Sequence, residues 1–299
     1  MKSATARKTD ICSVIVTYHP DAGFSNRIMH LRDQVGGLVV VDNNSGSAER
    51  GALRQLSSEH GVHLIFNSEN LGIGAALNQG VCWAAEEGYT WVLTLDQDSV
   101  VANDMVSTLA SVYEELPEKE NLAIIGSNYR DSNGGKLFIS ADRGDQRSWQ
   151  EVKTVITSGS LVSLAAYSAL GPFREEFFMD CVDLEYCLRA RSHGFRIIVT
   201  RKPLMDHALG ATTMHRLLWK RTGTSNHLPV RRYYMARNHV VLMREYIFRE
   251  PLWVLRMVYS LLKSGILFLL FEQNRILKLK CSAMGLFDGL ASNCGRRLS

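Results

Sequence analysis

Through roughly its first two hundred residues the chain alternates short apolar runs with stretches whose apolar positions recur at helical spacing. The run Ile11-Cys12-Ser13-Val14-Ile15-Val16 reads as a buried strand, and Phe24, Ile28, Leu31 and Val35 follow on one helical face. Leu38 to Val41 is a second strand, succeeded by the turn-rich Asp42-Asn43-Asn44-Ser45-Gly46-Ser47 and a short helix around Ala52, Leu53 and Leu56. Val62 to Phe66 is a third strand, Gly74 to Glu87 a helix, and Trp91 to Leu95 a fourth strand. After Leu116 the pattern shortens: Leu122 to Gly126, Lys136 to Ser140 and Val152 to Thr157 read as brief strands. A helix over Val182 to His193, a strand over Phe195 to Thr200 and a mainly helical region from 230 onward complete the pattern. Strands alternating with helices imply an α/β chain with a mostly parallel sheet flanked by helices, whose ligands sit outside the carboxyl ends of the strands.

Polar residues gather at those ends: Thr17-Tyr18, Asp42-Asn43, Asn67 to Gly72, and Asp96-Gln97-Asp98. The last group carries the most chemistry. Two carboxylates two residues apart share a face of an extended chain, and such a pair suits a divalent cation that also binds water and substrate phosphate. A solvated acidic turn is the plain alternative. A second acidic group, Asp180 and Asp183, sits at the start of the helix expected over 182–193. With both in the first turn their carboxylates would be neighbours, held in the charged form by the helix dipole and ready to act as a base. An N-capping role competes for Asp180.

At 299 residues, 46% apolar and 21% charged, the composition is globular. The net charge of +4 is concentrated after about residue 189, in Arg189, Arg191, Arg196, Arg201, Lys202, Arg216, Lys220, Arg221, Arg231, Arg232 and Arg237. A positive face there favours phosphates or anionic lipid. Six cysteines without a CxxC pair, and a polar stretch from Met1 to Asp10, fit a reducing cytoplasmic location. Leu252 to Phe271 is long enough to span a bilayer but contains Arg256 and Lys263, seven residues apart on one helical face. That pattern suits a helix in the membrane interface, with packing on the domain as the alternative.

Taken in order, Val14 to Tyr18, Val41-Asp42-Asn43-Asn44-Ser45, Asn70-Leu71-Gly72 with Asn78, Asp96-Gln97-Asp98, and the run into Asp183 and Leu188-Arg189 resemble the family 2 inverting glycosyltransferases of GT-A fold. The likeness covers about residues 11–245, and Phe178-Met179-Asp180-Cys181-Val182-Asp183-Leu184-Glu185 is particularly similar to bacterial enzymes that use dTDP-L-rhamnose for surface polysaccharides such as O-antigen. The resemblance implies a Rossmann-like catalytic domain over residues 10–210 and a helical region over 211–299 on the acceptor and membrane side. It also implies a nucleotide-sugar pocket formed by Thr17, Tyr18, Asp42, Asn43, Asn70, Gly72, Asn78 and Asp96, with Asp42 accepting from the pyrimidine ring. Mg²⁺ or Mn²⁺ would bind Asp98 and His207, Asp183 would be the catalytic base, and Asp180, Tyr234 and Arg237 would lie on the acceptor side. Relatives often carry Glu where this chain has Val182, which removes a role for that position.

The expected partners are dTDP-L-rhamnose, a polyprenyl diphosphate-linked saccharide and the inner face of the cell membrane, with no nucleic acid. UDP- or GDP-sugars remain alternative donors, and a non-catalytic sugar-nucleotide-binding protein is a further reading. A nicotinamide dehydrogenase is disfavoured, because Gly72-Ile73-Gly74 is followed by Leu77 where the dinucleotide fingerprint needs glycine.

Overall fold

The computed structural model describes residues 7–131, 135, 137–140, 146–207, 213–217 and 220–297. The chain begins with β1 (Ile11–Thr17), α1 (Phe24–Arg32), β2 (Gly37–Asp42), α2 (Ser47–His60), β3 (His63–Phe66), α3 (Ile73–Glu86) and β4 (Trp91–Asp96). Each lies within a few residues of its expected place. There follow β5 (Val100–Val101), α4 (Met105–Glu115), β6 (Leu122–Asp131), β7 (Trp149–Glu151), β8 (Ser160–Ser163), α5 (Leu164–Leu170), α6 (Val182–Ser192) and β9 (Arg196–His207). A hairpin of β10 (Thr213–Leu217) and β11 (Lys220–Thr224) leads into α7 (Pro229–Tyr246), α8 (Pro251–Phe271) and α9 (Arg275–Leu290).

Among the described residues one sheet runs in the order β3-β2-β1-β4-β8-β6-β9-β5, with β7 also on β9. The first four strands are parallel, β8 is antiparallel to both of its neighbours, and β6 and β9 are again parallel. The sheet is therefore mixed but largely parallel. All seven residues of β1 are buried, as a strand covered on both faces requires. Its alternate residues serve two cores: Cys12, Val14 and Val16 pack with α3 and α6, whereas Ile11 and Ile15 pack with α1, α2 and α4.

Three expectations after residue 116 are corrected. The strand expected over 152–157 is displaced to β7, while Val155 leaves the ladder and plugs the core beneath Gly126. Of the strand expected over 136–140 only Leu137 bridges, to Arg130, and Lys136 lies outside the described residues. The strand expected to stop at Thr200 continues through Pro203 to His207. Pro203 is tolerated because it meets Asn128 where the β6–β9 register shifts, and the Asn128 side chain bonds the carbonyls of Ile139 and Arg201 there. This extension carries His207 to the carboxyl edge of the sheet, although residues 208–210 lie outside the described ones.

The last three helices pack on the catalytic layer through α7, whose Val241, Leu242 and Tyr246 join the core around α3 and α6. On the far side of α7, α9 approaches backbone to backbone: a Cβ on Gly285 would lie 2.2 Å from the Tyr233 carbonyl oxygen, and one on Gly289 would lie 2.7 Å from that of Arg237. Nearby, buried Glu272 pairs with both Arg232 and Lys278 and ties the three helices together. Gly285→Ala would force α7 and α9 apart, and chemical denaturation is expected to show a loss of about 1–3 kcal/mol.

Candidate active site

β4 ends at Asp96, and Gln97 and Asp98 form the turn beyond it. Gln97 holds that turn in place. Its side chain accepts the Tyr18 N–H at 2.8 Å and donates to the Tyr18 carbonyl at 3.2 Å, while its own carbonyl accepts Arg27 Nε at 3.0 Å. The ends of β1 and β4 are thereby laced together, and candidate ligand atoms of Asp96, Asp98 and His207 lie within 4.8 Å of one another. The cluster was expected to comprise Asp98 and His207, with Asp96 on the ribose side; the structure brings Asp96 into the same group.

A hydroxyl relay supports it. The Asp96 N–H donates to Ser158 Oγ at 3.1 Å, Ser158 shares a hydrogen bond with Ser99 at 2.7 Å, and Ser99 Oγ lies 3.4 Å from His207 Nδ1. That contact orients the imidazole, with Tyr129 edge-on against its ring. Two carboxylates and one imidazole form a donor set suited to Mg²⁺ or, better, Mn²⁺. Burial pushes the Asp96 carboxyl up, opposed by His207, reinforced by Asp98 and opposed again by Arg231. A site that leaves carboxylates so poorly neutralised fits a divalent cation.

Several expected pocket residues prove to be scaffold. Asp42 is fully buried, and both its oxygens are engaged. Oδ1 accepts the hydroxyls of Thr17 and Ser45, and Oδ2 accepts the Ser45 N–H and Arg50 Nε, both at 3.0 Å. Thr17, buried behind Asp42, joins the same network through its hydroxyl. Asn43 is likewise buried, bonded to Asn67, the Leu71 N–H and the Gly72 carbonyl. Asn78 bonds Phe173, Glu175 and Tyr167 and so braces α3 against the segment before α6. Tyr18 is 49% exposed at the cleft edge, with Asn70 and Asp96 partly exposed.

The segment leading into α6 has unusual backbone. Phe178 (φ 61, ψ −60) forms a γ-turn closed by the Met179 N–H to the Phe177 carbonyl at 2.7 Å, and Asp180 (φ 58) and Cys181 (φ 65) follow in the left-handed region. Cys181 is the N-cap residue of α6. Asp180 is therefore neither the cap nor a member of the first helical turn, and the expected pairing of Asp180 with Asp183 inside one turn is corrected. α7 secures this backbone: Asn238 Nδ2 donates to the carbonyls of Phe177, Met179 and Asp180 at 3.0, 2.8 and 2.9 Å. Arg237 donates to the carbonyls of Glu176 and Phe177 at 2.7 and 3.1 Å, its guanidinium lying over the rings of Tyr233 and Tyr234. Tyr234 and Arg237 are both fully buried. From the other side the Ile73 N–H donates to Phe178 O at 2.8 Å, and Gly72 (φ 87) leaves no room for a Cβ, which would lie 2.4 Å from the same oxygen.

Asp183 stands in the first turn of α6, its carboxylate accepting the Leu184 N–H at 2.7 Å. Burial raises it from the ordinary aspartate value to about 6, the Leu184 N–H pulls down, and Asp180 and Asp96 push up. Desolvation thus outweighs the helix dipole that was expected to hold it charged. Asp180 is clasped by Arg231, whose guanidinium reaches both carboxylate oxygens at 3.0–3.2 Å and stays about half exposed. Arg231 also feels Asp96 and Asp183, so it belongs to this site. The sequence reading had counted it only as part of a basic stretch. Gln97, Ser99 and Ser158 were not singled out either.

Residues 14–169 match Glycosyl transferase family 2. The chain is 29% identical over 303 residues, 96% of its own length and 97% of the relative's, to "dTDP-rhamnosyl transferase RfbF" of Shigella flexneri. The mannosyltransferase PcManGT of Pyrobaculum calidifontis, in complex with GDP-Man and Mn²⁺, is similar with TM-score 0.57 and 14% identity, over 95% of this chain and 87% of that one. S. aureus TarS 1-349 in complex with UDP-GlcNAc is similar with TM-score 0.58 and 14% identity, over 95% of this chain and 81% of that one. A longer TarS chain is similar with TM-score 0.55, and this chain spans 44% of its length. At such identities the structural likeness is one of fold, the GT-A arrangement.

Because Asp183 takes up its proton more readily folded than unfolded, its charge destabilises the fold above about pH 6 and ceases to do so below about pH 4. Asp183→Asn is therefore expected to raise stability by about 1–3 kcal/mol at pH 7.5, an effect that thermal melts should show fading as pH falls toward about 4.

Proposed function

The chain belongs to glycosyl transferase family 2, and from that premise we propose that it is an inverting, metal-dependent enzyme that moves L-rhamnose from dTDP-L-rhamnose to a lipid-linked saccharide in surface polysaccharide synthesis. The observation that carries the reading is Asp183, partly buried in the first turn of α6 within electrostatic reach of Asp96, where desolvation raises its carboxyl to about 6. A base of that strength is mostly ionised at neutral pH yet still basic enough to take a hydroxyl proton. The rhamnose donor is supported by similarity along the whole chain to a relative named as a dTDP-rhamnosyl transferase.

In this mechanism the acceptor hydroxyl attacks the anomeric carbon from the side opposite the nucleotide diphosphate, while Asp183 takes its proton. Inversion in one displacement needs no covalent enzyme intermediate. Asp98 and His207, with Asp96 beside them, would hold Mg²⁺ or Mn²⁺; what such an ion supplies when bound is neutralisation of charge on the departing diphosphate. Arg231, half exposed beside Asp180, is the guanidinium placed to donate to diphosphate oxygens as negative charge develops there. Tyr18 and Asn70 are assigned to the nucleotide, and Asp180 to the acceptor side through its hold on Arg231. Residues 10–210 are assigned to donor binding and chemistry, and 211–299 to the acceptor and membrane side.

Purified protein with Mg²⁺ or Mn²⁺ is expected to consume dTDP-L-rhamnose from a panel of dTDP-, UDP- and GDP-sugars; turnover confined to a UDP- or GDP-sugar would replace the donor. Asp183→Asn is expected to keep donor binding, measured by calorimetry, and to lose about 10²–10⁴-fold in transfer. Near-normal turnover in that variant would remove Asp183 from the base role. Arg231→Ala is expected to cost about 10²-fold in kcat, as removal of one transition-state donor does.

A further inference from the structure

α8 has two unlike sides. Val254, Leu267 and Phe268 pack inward, yet the helix is 21 residues long with a mean hydropathy of 1.8, and only 11% of its apolar window is buried. Its exposed apolar residues form one stripe at steps of three and four: Leu252, Leu255, Tyr259, Leu262 and Ile266, each at least 59% exposed. Arg256 and Lys263 each follow a stripe residue by one position and so edge the stripe on one side. α9 continues the surface with Ile276, Phe287 and Leu290, all at least 64% exposed, together with exposed Arg275 and Lys280.

Every exposed charge on these two helices is positive. Their internal and flanking acids are all paired: Glu272 and Asp288 are buried against Arg232, Lys278, Tyr233 and Arg297, and partly buried Glu250, which caps α8, pairs with Arg191. Exposed apolar residues gathered in this way on two adjoining helices mark an interaction surface. A second copy of the chain meeting it through the same face would bring Arg256, Lys263, Arg275 and Lys280 against their own kind with no exposed acid to answer them. Nor can α8 leave the fold to cross a membrane without breaking the buried Glu272 cluster that fastens both of its neighbours.

We propose that the outer face of α8 and α9 docks on an anionic lipid bilayer, with both helices lying in the plane of the interface. Apolar side chains enter the acyl boundary, and the marginal cations meet lipid phosphates. The surface extends the reading of a lipid-linked acceptor but stands on residues separate from the transfer site. It also orients the molecule, because α7 separates these helices from the turn that carries Asp180.

The test is cosedimentation of the full chain with vesicles of phosphatidylcholine alone or mixed with phosphatidylglycerol. Binding to the mixed vesicles, weakened by salt, is expected, and Arg256→Glu with Lys263→Glu should lower that partition by more than about tenfold. Leu262→Glu with Ile266→Glu should leave the protein in the supernatant, with its circular dichroism melt and metal-dependent consumption of nucleotide sugar unchanged. The proposal is overturned if the wild-type protein ignores both vesicles. It is equally overturned if it forms a dimer in solution that the glutamate pair dissolves. Vesicle binding without turnover of any nucleotide sugar would support the surface and count against the proposed donor alone.

Discussion

The site depends on the backbone of residues 177–181. Three positive-φ residues within four positions, Phe178, Asp180 and Cys181, none of them glycine, cost of order 1–3 kcal/mol each and persist only where the surroundings over-determine them. Here the determination is a set of donors aimed at successive carbonyls: Arg237 and Asn238 from α7, and the Ile73 N–H from the start of α3. Buried carbonyls left without those donors would each be costly. The turn is therefore clamped from two sides, by the loop that opens the donor cleft and by the first helix beyond the sheet. Its reward is positional, because it points Asp180 toward Arg231 and delivers Asp183 at the free N-terminal end of α6.

Four carboxylates, Asp96, Asp98, Asp180 and Asp183, then share one region with Arg231 and His207. Desolvation first, and the like charges of Asp180 and Asp96 after it, raise Asp183 despite its N–H donor. The same repulsion makes the region receptive to a divalent ion, and with that ion to the diphosphate it neutralises. Arg231 is engaged with Asp180 in this structure but half exposed, so an incoming diphosphate competes with a carboxylate for it without desolvating it anew. Metal, base and guanidinium are thus linked through charge more than through direct contact.

Much of the architecture was legible in the chain. Parallel strands buried on both faces read as unbroken apolar runs, so β1, β2 and β4 and the helices between them fell close to their expected places. Legibility failed where structure is decided by distant partners. β9 runs through Pro203 because Asn128 repairs the ladder there, and nothing local to Pro203 signals that repair. Asp96, Asp98 and Asp183 were visible as acids at strand and helix ends, while Ser99 and Ser158 were not, since a hydroxyl relay has no spacing rule. Thr17, Asp42 and Asn43 were visible as polar residues near strand ends, but only the packed structure shows that their hydrogen bonds go to one another and to neighbours such as Ser45, Arg50 and Asn67. Nothing local to Arg237 and Asn238 signals that their side chains hold the backbone of residues 176–180.

This last point bears on how the two parts of the chain work together. α7 faces the catalytic turn through Arg237 and Asn238 and faces α9 through Tyr233, whose hydroxyl donates to Asp288 at 2.6 Å. The chain beyond α9 returns to the same place: the Gly295 N–H donates to the Glu176 carbonyl at 2.9 Å, and the Gly295 carbonyl accepts from Arg237. Removing residues 252–299 would therefore strip a bilayer surface and also take from Tyr233 its Asp288 partner and from Arg237 one of its carbonyls behind the turn. Loss of membrane binding on such truncation could not be told from loss of the active-site brace, whereas exposed positions such as Leu262 and Ile266 touch the surface alone. One helix, α7, thus stands between the outermost helices and the turn that leads into Asp183, bonded to both.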